Sequence, residues 1–387
     1  MKLKTSTSFR ALAANFLIQI NVMNLNIKGP THTTILNWVH KIGYYELMRE
    51  KEKADDWIII LDESIQIGQD KILMIFGIRE KNVDFTRPLI LQDLVPLREL
   101  INTSWSGEEI KDVLLDIKKE LGDVKYAVSD GGNNIINGLK LSKITHVYDI
   151  THKIALILCK LYKKNDIYIS LTKRMTEMRV KYLQTKIAYL IPPKQRTKSR
   201  YLNVNEIAKW CWKVLSYYDK NKDIKNEICK KLEWIVEYKD FVLELKKINE
   251  LVCKIEKELK HNGFSQESLK ICNDLLDRID GSFGKEMKTQ LKMYFKELEG
   301  KNINAEKLLI TSDIIESSFG KYKNYVNQNP MAGITNLILS LSAFTSTLNE
   351  EDIKKALENT IIYDVKEWTK RNIGKTLFQK RKEAFVF

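Results

Sequence analysis

Residues 57–64, Trp-Ile-Ile-Ile-Leu-Asp-Glu-Ser, form a short, continuously apolar run that ends on acids at Asp62 and Glu63. Its length and its three isoleucines read as a buried strand. A carboxylate at the end of such a strand costs free energy unless something compensates it. The same pattern recurs three times: Asp130 closes VKYAVSD, Asp149 follows the apolar pair in VYDITHK, and Glu316 lies in TSDIIESSFGKYK. A divalent metal shared between several carboxylates is a compensation that also gives a catalyst, so the pattern predicts a metal-dependent phosphoryl-transfer site.

Working outward, KILMIFGIRE (71–80) reads as a second strand, joined to the first by a tight connection over 66–71, and RPLILQDL (87–94) as a third. SGEEIKDVLLDIKKELG (106–122) has helical periodicity, a Ser-x-x-Glu start at Ser106 and Glu109, and a stop at Gly122. A strand through Val128, a short helix over 131–142, a strand ITHVYD (144–149) and a helix over 151–164 complete the series. The order β-β-β-α-β-α-β-α predicts an α/β fold built on a mixed five-stranded sheet with flanking helices. Sheets of this kind hold ligands just outside their strand ends. Asp62 and Asp130 are placed at the C-terminal ends of two strands that lie side by side.

The chain has 387 residues, 44% hydrophobic and 29% charged, enough for two or three domains with a sizeable core. A net charge of +14 favours a polyanionic partner, although lysines on solvated faces explain the same balance. The five cysteines form no C-x-x-C pair and read as reduced intracellular thiols. No run is long and apolar enough to span a bilayer, which leads us to expect a cytoplasmic, nucleoid-associated protein with no membrane partner. Residues 1–52 read as a small helical region: SFRALAANFLIQINVM, a break at Gly29-Pro30, then THTTILNWVHKIGYYEL with Thr31 or Thr33 as its cap. This helix-turn-helix-like unit either meets DNA through Asn37 and Lys41 or serves as a packing cap for the neighbouring domain.

The acids and the order of elements resemble the RNase H-like catalytic core of DDE-type transposases over about residues 30 to 340. The strings TILNWVHKIGYY, DESIQIG, VSDGG, YDITHK and IIESSFGKYK, in that order, are similar to those of bacterial insertion-sequence transposases. The resemblance implies a core split into 53–165 and 307–387, a large all-α insertion over 166–306, and DNA binding by 1–52. It matches Asp62 and Asp130 to the two aspartates and Glu316 to the final acid, with Asp313 competing one turn earlier. DITH resembles a (C/D)-x-x-H motif that puts His152 beside the active site, as a contact to the DNA strand rather than a metal ligand. Asp149 reads equally well as the N-cap of the following helix.

In that frame Mg²⁺, with Mn²⁺ as substitute, is the implied cofactor: Asp62 would bridge two ions, Asp130 hold one and Glu316 the other. Lys321 and Lys323, and Arg196, Lys198 and Arg200 in PPKQRTKSRYLN, are candidate phosphate contacts, with a solvated surface as the alternative. Trp210, Trp212, Tyr217 and Tyr218 are core aromatics or a base-stacking platform. The implied partners are double-stranded DNA, as terminal inverted repeats and target, and a second copy of the chain. The implied activity is strand cleavage and transfer, the alternative being a catalytically inactive or domesticated DNA-binding protein of the same fold.

Overall fold

The computed structural model describes residues 2–5, 7–65, 70–195, 204–221, 227–326 and 333–385. Five strands, β1 (Ala54–Ile65), β2 (Lys71–Arg79), β3 (Val95–Asn102), β4 (Gly122–Ser129) and β5 (His146–Tyr148), form one sheet in the order β3-β2-β1-β4-β5. β2 runs antiparallel to both β1 and β3, and β1 pairs in parallel with β4. The helices in chain order are α1 (Phe9–Val22), α2 (His32–Met48), α3 (Gly107–Leu121), α4 (Asn133–Leu141), α5 (Ile150–Tyr162), α6 (Asp166–Tyr182), α7 (Val204–Asn221) and α8 (Glu227–Leu232). They continue with α9 (Lys239–Asn262), α10 (Gln266–Leu276), α11 (Ser282–Glu299), α12 (Asp313–Val326), α13 (Ser340–Ala343), α14 (Glu350–Glu358), α15 (Ile362–Asn372) and α16 (Leu377–Ala384). A mixed five-stranded sheet in this order, with flanking helices and a long helical stretch between β5 and α12, is the RNase H-like arrangement.

The chain divides into two compact units, Met1–Val147 with Thr311–Phe387, and Tyr148–Ile310. Among its described residues, the regular structure of the second is helical apart from the end of β5 at Tyr148 and one bridge between Phe264 and Leu308. Within it α5 packs on α9 and α11. Inside it Trp210 stacks on Trp234 with centroids 6.3 Å apart, and the Lys246 ammonium sits 3.7 Å from the Trp212 ring centre.

In the first unit, β1 alternates between two buried faces. Trp57, Ile59 and Leu61 join Leu73 and Ile75 of β2 against Ile110, Leu114, Ile117 and Leu121, one stripe of α3, and Ile135 and Leu139 of α4. Each such side chain removed from water contributes about 1.5–3 kcal/mol. The ends of α3 are as the sequence reads: Ser106 and Glu109 form a capping box, and Gly122 stops the helix with φ +99°. Thr31 caps α2, accepting from the Thr34 N–H at 3.1 Å.

The third strand differs from expectation. It is VPLRELIN, not RPLILQDL, because polar groups fold 87–94 on itself. The Arg87 guanidinium grips both Asp93 oxygens at 2.7 Å, Asp93 accepts from the Ile90 N–H at 2.8 Å, and Leu91–Asp93 turns as a 3₁₀ helix. Pro96 is tolerated in the true strand because β3 is an edge, beside a bulge between the Ile75 and Phe76 pairings.

α2 crosses the segment 336–343 at very close range, and a Cβ built on Gly43 would stand 2.0 Å from the Leu339 carbonyl oxygen. Gly43→Ala should therefore lower stability by about 1–3 kcal/mol. Gly320, inside α12 with no atom within 4 Å of such a Cβ, should gain roughly 0.5–1 kcal/mol on Gly320→Ala. Urea denaturation of the two variants checks both signs.

Candidate active site

The last parallel pairing of β1 with β4 matches Ile60 to Val128, so two residues further along both strands Asp62 comes abreast of Asp130. Asp62 is not at the end of its strand, as expected, since β1 continues to Ile65 against β2. It lies where β4 stops, and that brings the two acids together. They line one open cleft of about 180 Å³ with Glu63, Gly132, Asn133, Asn134 and Ile135.

The turn after β4 fixes Asp130. Gly131 has φ +84°, a conformation that favours glycine, and the Gly132 N–H donates to Asp130 Oδ1 at 3.0 Å. Ser129 Oγ, fully buried, is hydrogen-bonded to His146 Nε2 at 2.9 Å, which ties this turn to the start of β5. Asp62 Oδ1 accepts from the Glu63 N–H at 2.7 Å, while Glu63 is paired with Lys71 at 3.2 Å. The cleft floor is the start of α4, whose first residues are Asn133 and Asn134. Sequence reasoning did not single out these two amides; polar residues directly after an Asp-Gly-Gly turn and before an apolar helix were the available signal.

Strand alternation decides what faces Asp62. Asp62 is opposite Met74, and Met74 is opposite Glu99 of β3, so the three side chains project from one face of the sheet. That is the face away from α3 and α4, and α12 packs against β1 there. Glu316 and Asp313 both lie in the first turn of α12, Glu316 exposed and Asp313 half-buried. Acids there are favoured by the helix dipole. Glu316 is not among the residues lining the Asp62–Asp130 cleft, and no group of three or more His, Cys, Asp or Glu among the described residues is arranged to hold a metal ion.

The remaining candidates fall elsewhere. Asp149, fully buried, caps α5: its Oδ1 accepts from the His152 N–H at 2.8 Å and meets His152 Nδ1 at 3.2 Å, both within the second unit. The adjacent Tyr148 carbonyl accepts from the Tyr294 hydroxyl at 2.7 Å, and burial, reinforced by the charge of Asp149, holds that phenol well above its ordinary range. Lys41 donates to the Leu357 carbonyl at 2.6 Å at the end of α14, a bond that fastens α2 to α14, and Asn37 is half-buried. On α12, Lys323 lies two turns beyond Glu316 on the same stripe, with its ammonium 5.9 Å from the Phe319 ring centre. Lys321 is turned away from that stripe, 5.7 Å from the Phe344 ring centre. Arg196, Lys198 and Arg200 lie outside the described residues, as does most of the connection over 66–71.

No protein-family model matches the sequence, and no curated protein matches it. Among solved structures the chain aligns with the Drosophila P element transposase strand transfer complex at 14% identity. The alignment covers 90% of this chain and 92% of that one, with a TM-score of 0.43.

Two carboxylates and two side-chain amides opening on one cleft are hard oxygen donors of the kind Mg²⁺ and Mn²⁺ prefer, so the residues present fit a divalent ion. Added Mn²⁺ should raise the melting temperature of the protein. Asp62→Asn and Asp130→Asn should each abolish most of that shift, read by differential scanning calorimetry, while Asp149→Asn should leave it in place.

Proposed function

We propose that this protein is a transposase of the DDE type that cuts and joins DNA strands with divalent metal. The observation that supports this most is the placing of Asp62 level with Asp130 by the parallel β1–β4 pair, on an RNase H-like sheet. In this reading Asp62 and Asp130 hold Mg²⁺ or Mn²⁺, and Glu316 supplies the third carboxylate from α12, on the helix packed against β1. The bound metal would polarise a phosphodiester and raise the fraction of ionised oxygen nucleophile at neutral pH. The protein's own groups position the DNA: Asn133 and Asn134 donate to phosphate oxygens at the positive end of α4, and Lys323 meets the backbone next to Glu316. The +14 net charge fits a polyanionic substrate. The same reading makes the substrate the inverted-repeat ends of an insertion sequence and its working form a dimer that pairs two ends. No helix of the described residues is long and apolar enough to cross a membrane.

The test is cleavage of DNA carrying the flanking ends of the gene's own locus. Nicking at those ends should require Mg²⁺ or Mn²⁺. A metal held by these carboxylates would stabilise the developing negative charge by several kcal/mol, so Asp62→Asn, Asp130→Asn and Glu316→Gln should each slow cleavage by about a thousandfold. Specific end binding with no cleavage at any metal concentration would instead indicate a DNA-binding protein that has kept the fold alone. Unimpaired cleavage by Glu316→Gln would move the third acid to Asp313.

A further inference from the structure

Glu99 is an acid in a place where the sheet needs none. It is only 2% exposed, on β3, at the far end of the cross-strand row Asp62–Met74–Glu99 and roughly 10 Å from Asp62 by strand spacing. Ser342 Oγ of α13 donates to its Oε2 at 2.6 Å, and its Oε1 is buried with no hydrogen-bond partner. The Tyr322 hydroxyl of α12 is also buried without a hydrogen-bond partner among the described residues, and burial, reinforced by the charge of Glu99, holds that phenol above its ordinary range. An ionised carboxylate held only by the hydroxyl and backbone N–H of Ser342, with one oxygen unpartnered, is disfavoured in an apolar layer, whereas a neutral acid is tolerated there. Burial accordingly pushes Glu99 up to about 8.

We infer that Glu99, clamped by Ser342 of α13, is a positioning residue that seats α13 and, through the packing of α12 on α13, holds α12 with its Glu316 on the Asp62 face of the sheet while its carboxyl is neutral. The inference deepens the transposase reading and rests on it for its catalytic consequence. Other titratable groups around β3 are distinct in their behaviour. On α2, His40 is buried and held neutral, pushed down to about 4, and Glu46 is paired with Arg49 at 2.7 Å. In the cleft that Glu99 borders, Arg98 is paired with Glu120 at 2.6 Å, and Tyr44, Asp364, Glu367 and Arg371 stand further along its wall. Lys51, also in that wall, is brought down to about 8 by burial, so it titrates near Glu99 and has to be separated from it by mutation.

Linkage sets the sign. An unfolded glutamate ionises near its ordinary pKa of about 4.3, whereas the folded one keeps its proton up to about 8. Stability held below the lower value is therefore lost as pH rises through the upper one. The isosteric, permanently neutral Glu99→Gln removes this dependence and leaves that of Lys51 unchanged. Urea denaturation from pH 5 to 8 should show the wild-type unfolding constant rising relative to that of Glu99→Gln, by up to tenfold per pH unit. Amide hydrogen exchange in α12, corrected for intrinsic rate, should show lost protection in the wild type above about pH 8 and retained protection in Glu99→Gln. End cleavage should be equal for the two proteins near pH 6 and persist further into alkali in the variant. Parallel stability profiles, or α12 protection that changes alike in both proteins, would overturn the inference. Absence of cleavage by both proteins at every pH, with the stability and exchange differences present, would overturn the transposase reading and leave the seat of α12 established.

Discussion

The parallel pairing of β1 with β4 brings Asp62 abreast of Asp130, and the site in the first unit depends on that register. The register that pairs Ile60 with Val128 brings Asp62 level with the turn at Asp130. The Gly131 turn, the Asp130–Gly132 bond and the Ser129–His146 brace then lock the second acid in place before any ligand arrives. In the function proposed here, a divalent cation held by the pair would also prepare a phosphodiester for attack.

The two faces of the sheet divide the work. One carries the apolar cluster of Trp57, Ile59, Leu61, Leu73 and Ile75, covered by α3 and α4, whose stripes of Ile and Leu set the position of β1. The other carries Asp62, Met74 and Glu99 in a row and receives α12. Its packing includes the buried Ser342–Glu99 bond, which ties α13, the neighbour of α12, to β3, and such a bond specifies the placement of a helix more sharply than apolar contact does. The acidic first turn of α12 is therefore attached to a helix whose seat depends on a buried proton.

Much of this was legible in the sequence because local chemistry and tertiary demand agree. Ser106, Glu109 and Gly122 delimit α3 by capping alone, and the isoleucine run of β1 cannot be placed anywhere but in a core. Asp62 and Asp130 stood out for the cost of an acid beside such runs. The third strand was misplaced because apolar content over 88–91 outweighed the Arg87–Asp93 clamp, which folds the segment through side chains whose pairing sequence alone does not disclose. That error hid Glu99, since its burial is evident only when VPLRELIN is read as the strand. Lys41 was equally opaque: its role as a tie to the Leu357 carbonyl depends on a contact 316 residues away.

The central claim is that Asp62 and Asp130 hold a divalent ion to which α12 brings a third carboxylate. Anomalous diffraction at the manganese edge, from crystals of the protein bound to its own end DNA with Mn²⁺, addresses it directly. The account predicts manganese density between the Asp62 and Asp130 carboxylates with Glu316 in the same coordination sphere. Manganese found only at other acids, or none between Asp62 and Asp130 at saturating metal, would contradict it.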